Sequence, residues 1–556
     1  MKIYYKKVLL CLAVSCAMVV SCDDQDYIDA NKDPDILNEI PPENQFLNAT
    51  IGIHGQDFEA YYDFYRRIMP WMQYVTPLTG NPESFTLGFG NFSNRYGRLY
   101  NGIGNVLTDL EMLVKNLPEE EQPKYAQMLH ISHILKAYYA FYVSDIYGSI
   151  AYTEAFQARY GGTMFPTYDN QQALFAKLDA EVEASINGLK ETPSIQQISL
   201  GSYDQYYGGD PAAWIKAANA LRLKMAMRIL KRDETTAKAI VQEVLNDAGN
   251  LMESNDDGWV LVASSGITSG GNFNPDGLRA SKPLVDFMLD YNDPRIDAFF
   301  APNSYSQANI NLLIAAGQLE AGTTETVRYV GSFTSPDDAA DEDIQDQYYS
   351  TRSLNGQTFD TLSLIQRRLF QPAFNTGTGL NYLPVISYPE FCFMRAELAA
   401  RNITSEDAEE FYNKGVTASI EWYNEVAIGA ALTNYTPLTG SQITDYLAQP
   451  GIAFDSDIAV EQIACQAFLH YFRQPAEGWA SWKRTGFPST TSVLALTDMK
   501  TNGVSLPIPR RAPLSIPSEG IPNYENIKAA YDDMAKDSGF GQGPTDAFGR
   551  VWWDVE

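Results

Sequence analysis

Few residues in this sequence could do covalent chemistry, and spacing disqualifies most of them. The four histidines are His54, His130, His133 and His470. His130 and His133 stand three apart, so on a helix they could share a metal ion. No HExxH and no Cys or Asp at ligand spacing accompanies them, and they read as packing or surface residues. The string GITSG at 266–270 carries its serine one position too late for a nucleophile elbow. Gly88 and Gly90 begin a glycine pattern without the third glycine or the strand–turn–helix frame of a dinucleotide site. Acids are abundant, 69 Asp and Glu against 40 Lys and Arg, giving a formal charge of −29. With so many carboxylates, the opposed pair that glycoside hydrolysis requires cannot be picked out by spacing. The charge does exclude nucleic acid as the main partner, because phosphates would be repelled. It also disfavours anionic lipid headgroups.

Recognition chemistry is better represented. The chain has 34 Tyr, 27 Phe and 8 Trp. Tyr and Trp offer a flat apolar face and one polar handle, which suits the C–H faces of sugar rings and suits peptide side chains equally. Several aromatics lie off the regular apolar stripes. Trp71, Tyr74, Phe89 and Tyr96 follow the first helical segment, and Trp259, Phe273 and Asn274 open a loop-rich middle. These seven are the candidate ligand-binding residues. In the acidic stretch 335–346, Asp337, Asp338, Asp341 and Asp343 are dense in hard oxygen ligands. A Ca²⁺ site there lacks the EF-hand spacing, and the stretch otherwise reads as a solvated loop. No other metal or cofactor is implied.

The elements that must hold these residues are mainly helices. Leu174, Leu178, Val182, Ile186 and Leu189 make one apolar stripe, with Asp169 as the expected N-cap. Trp214, Ala218, Leu221, Met225 and Ile229 make another, with Pro211 at its start and Asp210 as cap. Further helices are expected at 45–68, 102–117, 121–144, 233–247, 388–401, 406–425, 456–473 and 523–535. Residues 250–385 change character toward Gly, Asn, Ser and Asp with aromatics. Ordered loops of that kind on a helical scaffold tend to carry function.

The first residues indicate a compartment. Three lysines in residues 1–7 precede a 13-residue apolar run at 8–20, too short to span a bilayer and right for a signal-peptide core. The run ends Val19, Val20, Ser21, Cys22, which resembles a lipobox cleaved before the cysteine. Residues 1–21 are then a lipoprotein signal peptide, Cys22 the lipid anchor, 22–44 a polar tether and 45–556 the folded domain. Several acyl chains would hold such a protein on its membrane. The acids Asp23, Asp24 and Asp26 after the anchor leave inner-membrane retention and surface export both open. Cys392 and Cys465 sit among apolar neighbours and read as buried free thiols rather than a disulfide.

Four segments carry a family resemblance. Asp145, Tyr147, Gly148, Ile150, Tyr152, Thr153, Glu154 and Ala155 form a turn after a helix, with Ala151 where proline is usual. Trp214, Lys216, Asn219, Leu221 and Leu223 mark a second segment. Tyr388, Glu390, Phe393, Ala396 and Glu397 mark a third. Glu477, Trp479, Arg484, Thr485, Gly486 and Pro488, with Lys483 for an arginine, mark the fourth, followed by Ile508, Pro509 and Arg511. Together these resemble the SusD/RagB family of nutrient-binding outer-membrane lipoproteins. The resemblance implies a mostly α fold, with tetratricopeptide-like helix pairs on one side and a loop-rich ligand side on the other. Trp214, Asn219 and Arg484 would then be structural. It implies no catalysis, a SusC-like TonB-dependent transporter as partner, and an oligosaccharide or, in the RagB manner, a peptide as ligand. It also favours a surface-exposed place on the outer membrane. A surface polymer hydrolase is the alternative from another class.

Changing Cys22→Ala is expected to release the protein from the membrane fraction of cells that lack any partner. Fractionation with immunodetection reads this, and a variant that still sediments with membrane removes the lipobox reading.

Overall fold

The computed structural model describes residues 40–54, 57–77, 92–275, 277–341 and 351–556. Five of its longer helices begin at a residue whose side chain caps the first turn. Helix α1 spans Pro42–Gly52, and α2 spans Glu59–Ile68, continuing through Met69–Trp71. Then follow α3 (Gly104–Lys115), α4 (Ala126–Tyr147), α5 (Gln171–Lys190), α6 (Pro211–Ile229) and α7 (Glu234–Asn246). The second half supplies α8 (Tyr388–Ala400), α9 (Ala408–Gly429), α10 (Ala459–His470), α11 (Pro475–Thr485) and α12 (Tyr524–Met534). The expected apolar stripe of α5 is buried throughout, but its cap is Asn170, whose side chain accepts from Ala173 N. Asp169 instead accepts from the Tyr152 and Thr153 amides, 2.9 Å each, and ties the turn after α4 to the start of α5. Asp210 caps α6 as expected.

Successive helices pack side by side, α4 on α5, α5 on α6, α6 on α7, and α8 on α9. The expectation of a mostly helical chain in pairs holds. Helix α6 runs through the middle and is buried on nearly every face, charged residues included. Two glycines allow the close approaches. Gly148 ends α4 at φ +76°, where a side chain would be strained. A Cβ on Gly478 would lie 2.1 Å from the Tyr74 hydroxyl.

The loop-rich middle contains regular pieces that the sequence did not suggest. Strands β2 (Trp259–Ser264), β3 (Arg279–Ala280), β4 (Phe300–Ala301), β5 (Thr351–Leu354), β6 (Gln357–Asp360), β7 (Leu364–Ile365) and β8 (Leu380–Ile386) organise it, joined by β1 (Val75–Thr76) from the segment after α2. Four of them form one small antiparallel sheet in the order β1-β3-β7-β4. Strands β2 and β8 pair antiparallel, and β5 and β6 form a hairpin through Asn355 and Gly356, both at positive φ.

A lattice of buried charge holds the helices. On α6, Arg228 Nε is 2.7 Å from Asp145 on α4, and its Nη2 is 2.7 Å from Glu477 on α11. One turn earlier, Lys224 Nζ is 2.9 Å from Glu390 on α8 and 3.2 Å from Glu477. Arg484 on α11 pairs with Glu397 on α8 through both guanidinium nitrogens. Three carboxylates around Lys224 and Arg228 share two cations. Burial and the neighbouring Glu477 raise Glu390 to about 7, against the pull of Lys224. Burial also disfavours the charged form of Glu477, but Arg228 and Lys224 outweigh it and hold that group at about 2.

The folded state therefore binds the Glu390 proton more tightly than the unfolded chain does. That contribution is complete below the ordinary glutamate value and is lost as pH rises through about 7. Glu477 behaves oppositely, its stabilisation failing only as pH falls toward about 2. Glu390→Gln is expected to flatten the decline in stability between pH 5 and 8, read by urea unfolding at each pH. A variant that declines in parallel with the parent places the titrating group elsewhere.

Candidate functional site

Phe58, Tyr61, Tyr62 and Tyr65 are spaced like one buried stripe. On a 3.6-residue turn Phe58 and Tyr65 would share a face. Residues Glu59–Ile68 instead form a π-helix, and its wider i→i+5 turn rotates Tyr65 away from Phe58. Tyr65 goes inside, donating its hydroxyl to Phe273 O at 2.9 Å. Phe58 goes outside, 49% exposed. Its ring stacks on Tyr62 with centroids 5.9 Å apart, Tyr61 meets Tyr62 edge-on at 4.9 Å, and the Arg66 guanidinium lies 4.4 Å over Tyr61. The result is a solvent-facing ladder of three rings and a cation. Beneath it, Glu59 pairs with buried Arg95 at 3.1 Å, and Asp63 accepts from Asn94.

The ladder is linked to a groove by residues 270–275. Asn272 Nδ2 donates to Asp57 at 2.8 Å, and Gln371 Nε2 donates to Gly270 O at 3.1 Å. Past Pro275 lies a groove of about 280 Å³. Ala301, Leu364 and Ile365 of the small sheet line it with Leu278, and so do Arg367, Phe374, Asn375 and Thr376. The Arg367 guanidinium stacks 3.4 Å over the Phe374 ring. Arg368 fixes that wall, donating to Thr376 Oγ1 at 2.7 Å and to Ala430 O at 3.0 Å. Rings, a guanidinium and a side-chain amide beside open space can stack on a sugar or side-chain face and bond its polar groups. None of the described lining residues is acidic.

The candidates read from sequence divide sharply. Trp71, Tyr74 and Trp259 have no exposure and belong to the core, which corrects their placement on a ligand surface. Trp71 packs between Phe92 and Trp479. Tyr74 lies flat on Phe468, 4.1 Å between centroids, with its hydroxyl on Phe468 O. Trp259 packs against Tyr138, Tyr206 and Trp214. Loop-like sequence around them had suggested exposure, but each has aromatic partners from distant parts of the chain. Tyr96 is half-buried, bonded to the Tyr168 hydroxyl at 3.0 Å beside Tyr100. Phe273 and Asn274 lie in the loop that joins ladder to groove, half-buried. Phe89 and Cys22 lie outside the described residues.

Asp337 accepts from the Asn502 and Gly503 amides at 2.7 Å each, a turn-holding task, while Asp338 and Asp341 are exposed and Asp343 lies outside the described residues. His133 bonds Glu111, and His130 lies against Gly188. Cys392 and Cys465 are free and buried. Trp214 donates to Asp204, Asn219 to Asp247 and Asn250 O, and Arg484 to Glu397, so these three are structural. The sequence reading missed Phe58, Tyr61, Tyr62, Arg66, Arg367 and Phe374. A signal existed for the first four, since a run of rings followed by Arg66 is unusual for a wholly buried face.

The sequence matches the SusD-like family, described as starch-binding and associating with the outer membrane, over residues 34–513, and the chain belongs to that family. No curated protein sequence matches it. Among solved structures, a chitin-binding protein is 23% identical, with a TM-score of 0.69 over 93% of this chain and 100% of that one. A SusD homologue from Bacteroides fragilis is 20% identical, at 0.67 over 93% and 100%. A chitin-binding SusD homologue from Flavobacterium johnsoniae is 19% identical, at 0.62 over 92% and 98%. At these identities the likeness establishes the SusD-like fold. No helix among the described residues is long and apolar enough to cross a membrane.

Core and surface aromatics should separate in their effect on stability. Trp71→Ala is expected to cost about 3–5 kcal/mol through the cavity it leaves. Tyr62→Ala is expected to stay within about 0.5 kcal/mol of the parent. Denaturant unfolding of both variants measures this, and a mild Trp71→Ala would contradict its core assignment.

Proposed function

We propose that this chain is a non-catalytic capture protein that holds an oligosaccharide on its loop face and passes it to a SusC-like TonB-dependent transporter. The observation that carries the reading is the partly exposed ladder of Phe58, Tyr61, Tyr62 and Arg66, linked by the loop that carries Asn272 to a groove lined by Arg367 and Phe374. Buried aromatics need no functional account, but a solvent-facing cluster of this kind does. Its rings can lie against the C–H faces of a saccharide while Asn375, Thr376 and the guanidinium groups bond hydroxyls. Chitin-binding relatives of the same fold support a saccharide over a peptide. Anchoring by lipid at Cys22 would keep such a protein beside its transporter, where high local concentration makes modest affinity sufficient.

A calorimetric screen of neutral oligosaccharides, chitooligosaccharides first, with a peptide panel alongside, tests the ligand class. Tyr62→Ala and Phe374→Ala are each expected to weaken binding about 5- to 10-fold, on the order of 1 kcal/mol per lost ring contact. Binding of peptides alone would turn the ligand class over. Product release abolished by a single carboxylate substitution would replace capture with hydrolysis. Affinity purification from solubilised outer membrane should recover a large barrel protein at near-equal stoichiometry, and recovery of the lipoprotein alone counts against the transporter.

A further inference from the structure

Beneath the loop face lies a half-open chamber of about 140 Å³, lined by α2, α4, the 268–273 loop and the turn from α10 to α11. A site for one water needs about 10–15 Å³ on the same measure, so a group of several heavy atoms fits. The walls are largely rings, among them Phe64, Tyr65, Tyr138, Tyr139, Phe273 and Phe370. One full positive charge faces them. Arg473 donates from Nη2 to Tyr382 O at 3.0 Å and lies 5.2 Å from the Phe370 centroid, while its Nε and Nη1 are buried without a partner.

The two acids that line the same chamber are already committed. Glu59 takes Arg95 at 3.1 Å and the Tyr142 hydroxyl at 2.6 Å. Glu477 bridges Arg228 and Lys224. His54 supplies no counter-charge, because burial and Arg473 hold it neutral, at about 3. Burial depresses Arg473 itself, opposed only by Tyr423 and Tyr65. Arg473 as a whole is half-buried, and its guanidinium keeps its proton under ordinary conditions, so the two unbonded N–H groups remain charged donors without a counter-ion. Tyr139 adds a second unpaired donor, its hydroxyl buried and without a partner.

We propose that the chamber is a site for a small monocarboxylate, whose carboxylate neutralises Arg473 and whose apolar body rests on the surrounding rings. A carboxylate accepts from a guanidinium and from a tyrosine hydroxyl at once, which a compact halide does less well. The free N–H groups have almost no accessible surface in the structure, so a carboxylate in the chamber reaches them when the guanidinium or a neighbouring ring turns. The site is separate from the groove and does not depend on what the loop face binds.

Thermal unfolding of the full protein in sodium acetate, against sodium chloride at matched ionic strength, is the test. Acetate is expected to raise Tm saturably by about 2 °C at concentrations far above its Kd. Arg473→Gln should abolish the response, and Arg473→Lys should retain part of it. Tyr139→Phe, a smaller change, should shift the half-saturating acetate concentration upward several-fold and keeps the test open if Arg473→Gln does not fold. Equal responses to acetate and chloride, or an undiminished acetate response in Arg473→Gln or in Tyr139→Phe, overturn the proposal.

Discussion

Two cations on one buried helix set the arrangement of the rest. Lys224 and Arg228 stand one turn apart on α6 and between them reach α4, α8 and α11. Charges removed from water must be paired, and breaking such a pair costs roughly 3–5 kcal/mol because the partner is left alone. Apolar packing tolerates small slides between helices. An ion lattice tolerates them poorly, so it fixes register as well as contact. Its neighbours extend the same logic: Lys483 lies 4.2 Å over Trp479 and 4.7 Å over Trp553, whose indole donates to Asp145 O. The family-like segments converge here, which is why they hold the scaffold.

The loop side is ordered by another means. Its connections are stapled by side chains that bond distant backbone. Gln73 donates to Thr497 O and accepts from Thr497 N and the Thr334 hydroxyl. Asn303 donates to Val327 O and Thr361 O, and Arg368 to Ala430 O. Such ties let a long irregular segment stay fixed without a thick apolar core. The outward residues are thereby free to be rings, amides and cations suited to recognition.

The same residue types therefore serve two ends. Tyr65 and Tyr62 lie three residues apart on α2, yet one seals the chamber and the other faces solvent. The π-helical turn makes that split possible, since an α-helix would keep Tyr65 beside Phe58. Buried Glu59, Asp63 and Arg95 under the ladder then stop the strand of rings from settling inward.

Much of the scaffold was legible without coordinates. Apolar spacing located α5 and α6, and Asp210 before Pro211 marked where α6 begins, because caps and stripes are local and depend on neighbours a few residues away. The resemblance in four segments identified the fold, and the excess of acids excluded nucleic acid. Which aromatics are buried and which line open space was not legible. Trp71 is core only because Phe92 and Trp479 close over it, and Tyr74 only because Phe468 lies flat against it. Phe374 becomes part of a groove wall only because Arg367 stacks on it and Arg368 reaches Ala430. Burial is set by long-range contacts, and those exist only once the chain has folded, so exposure of an aromatic was decided by the tertiary structure alone.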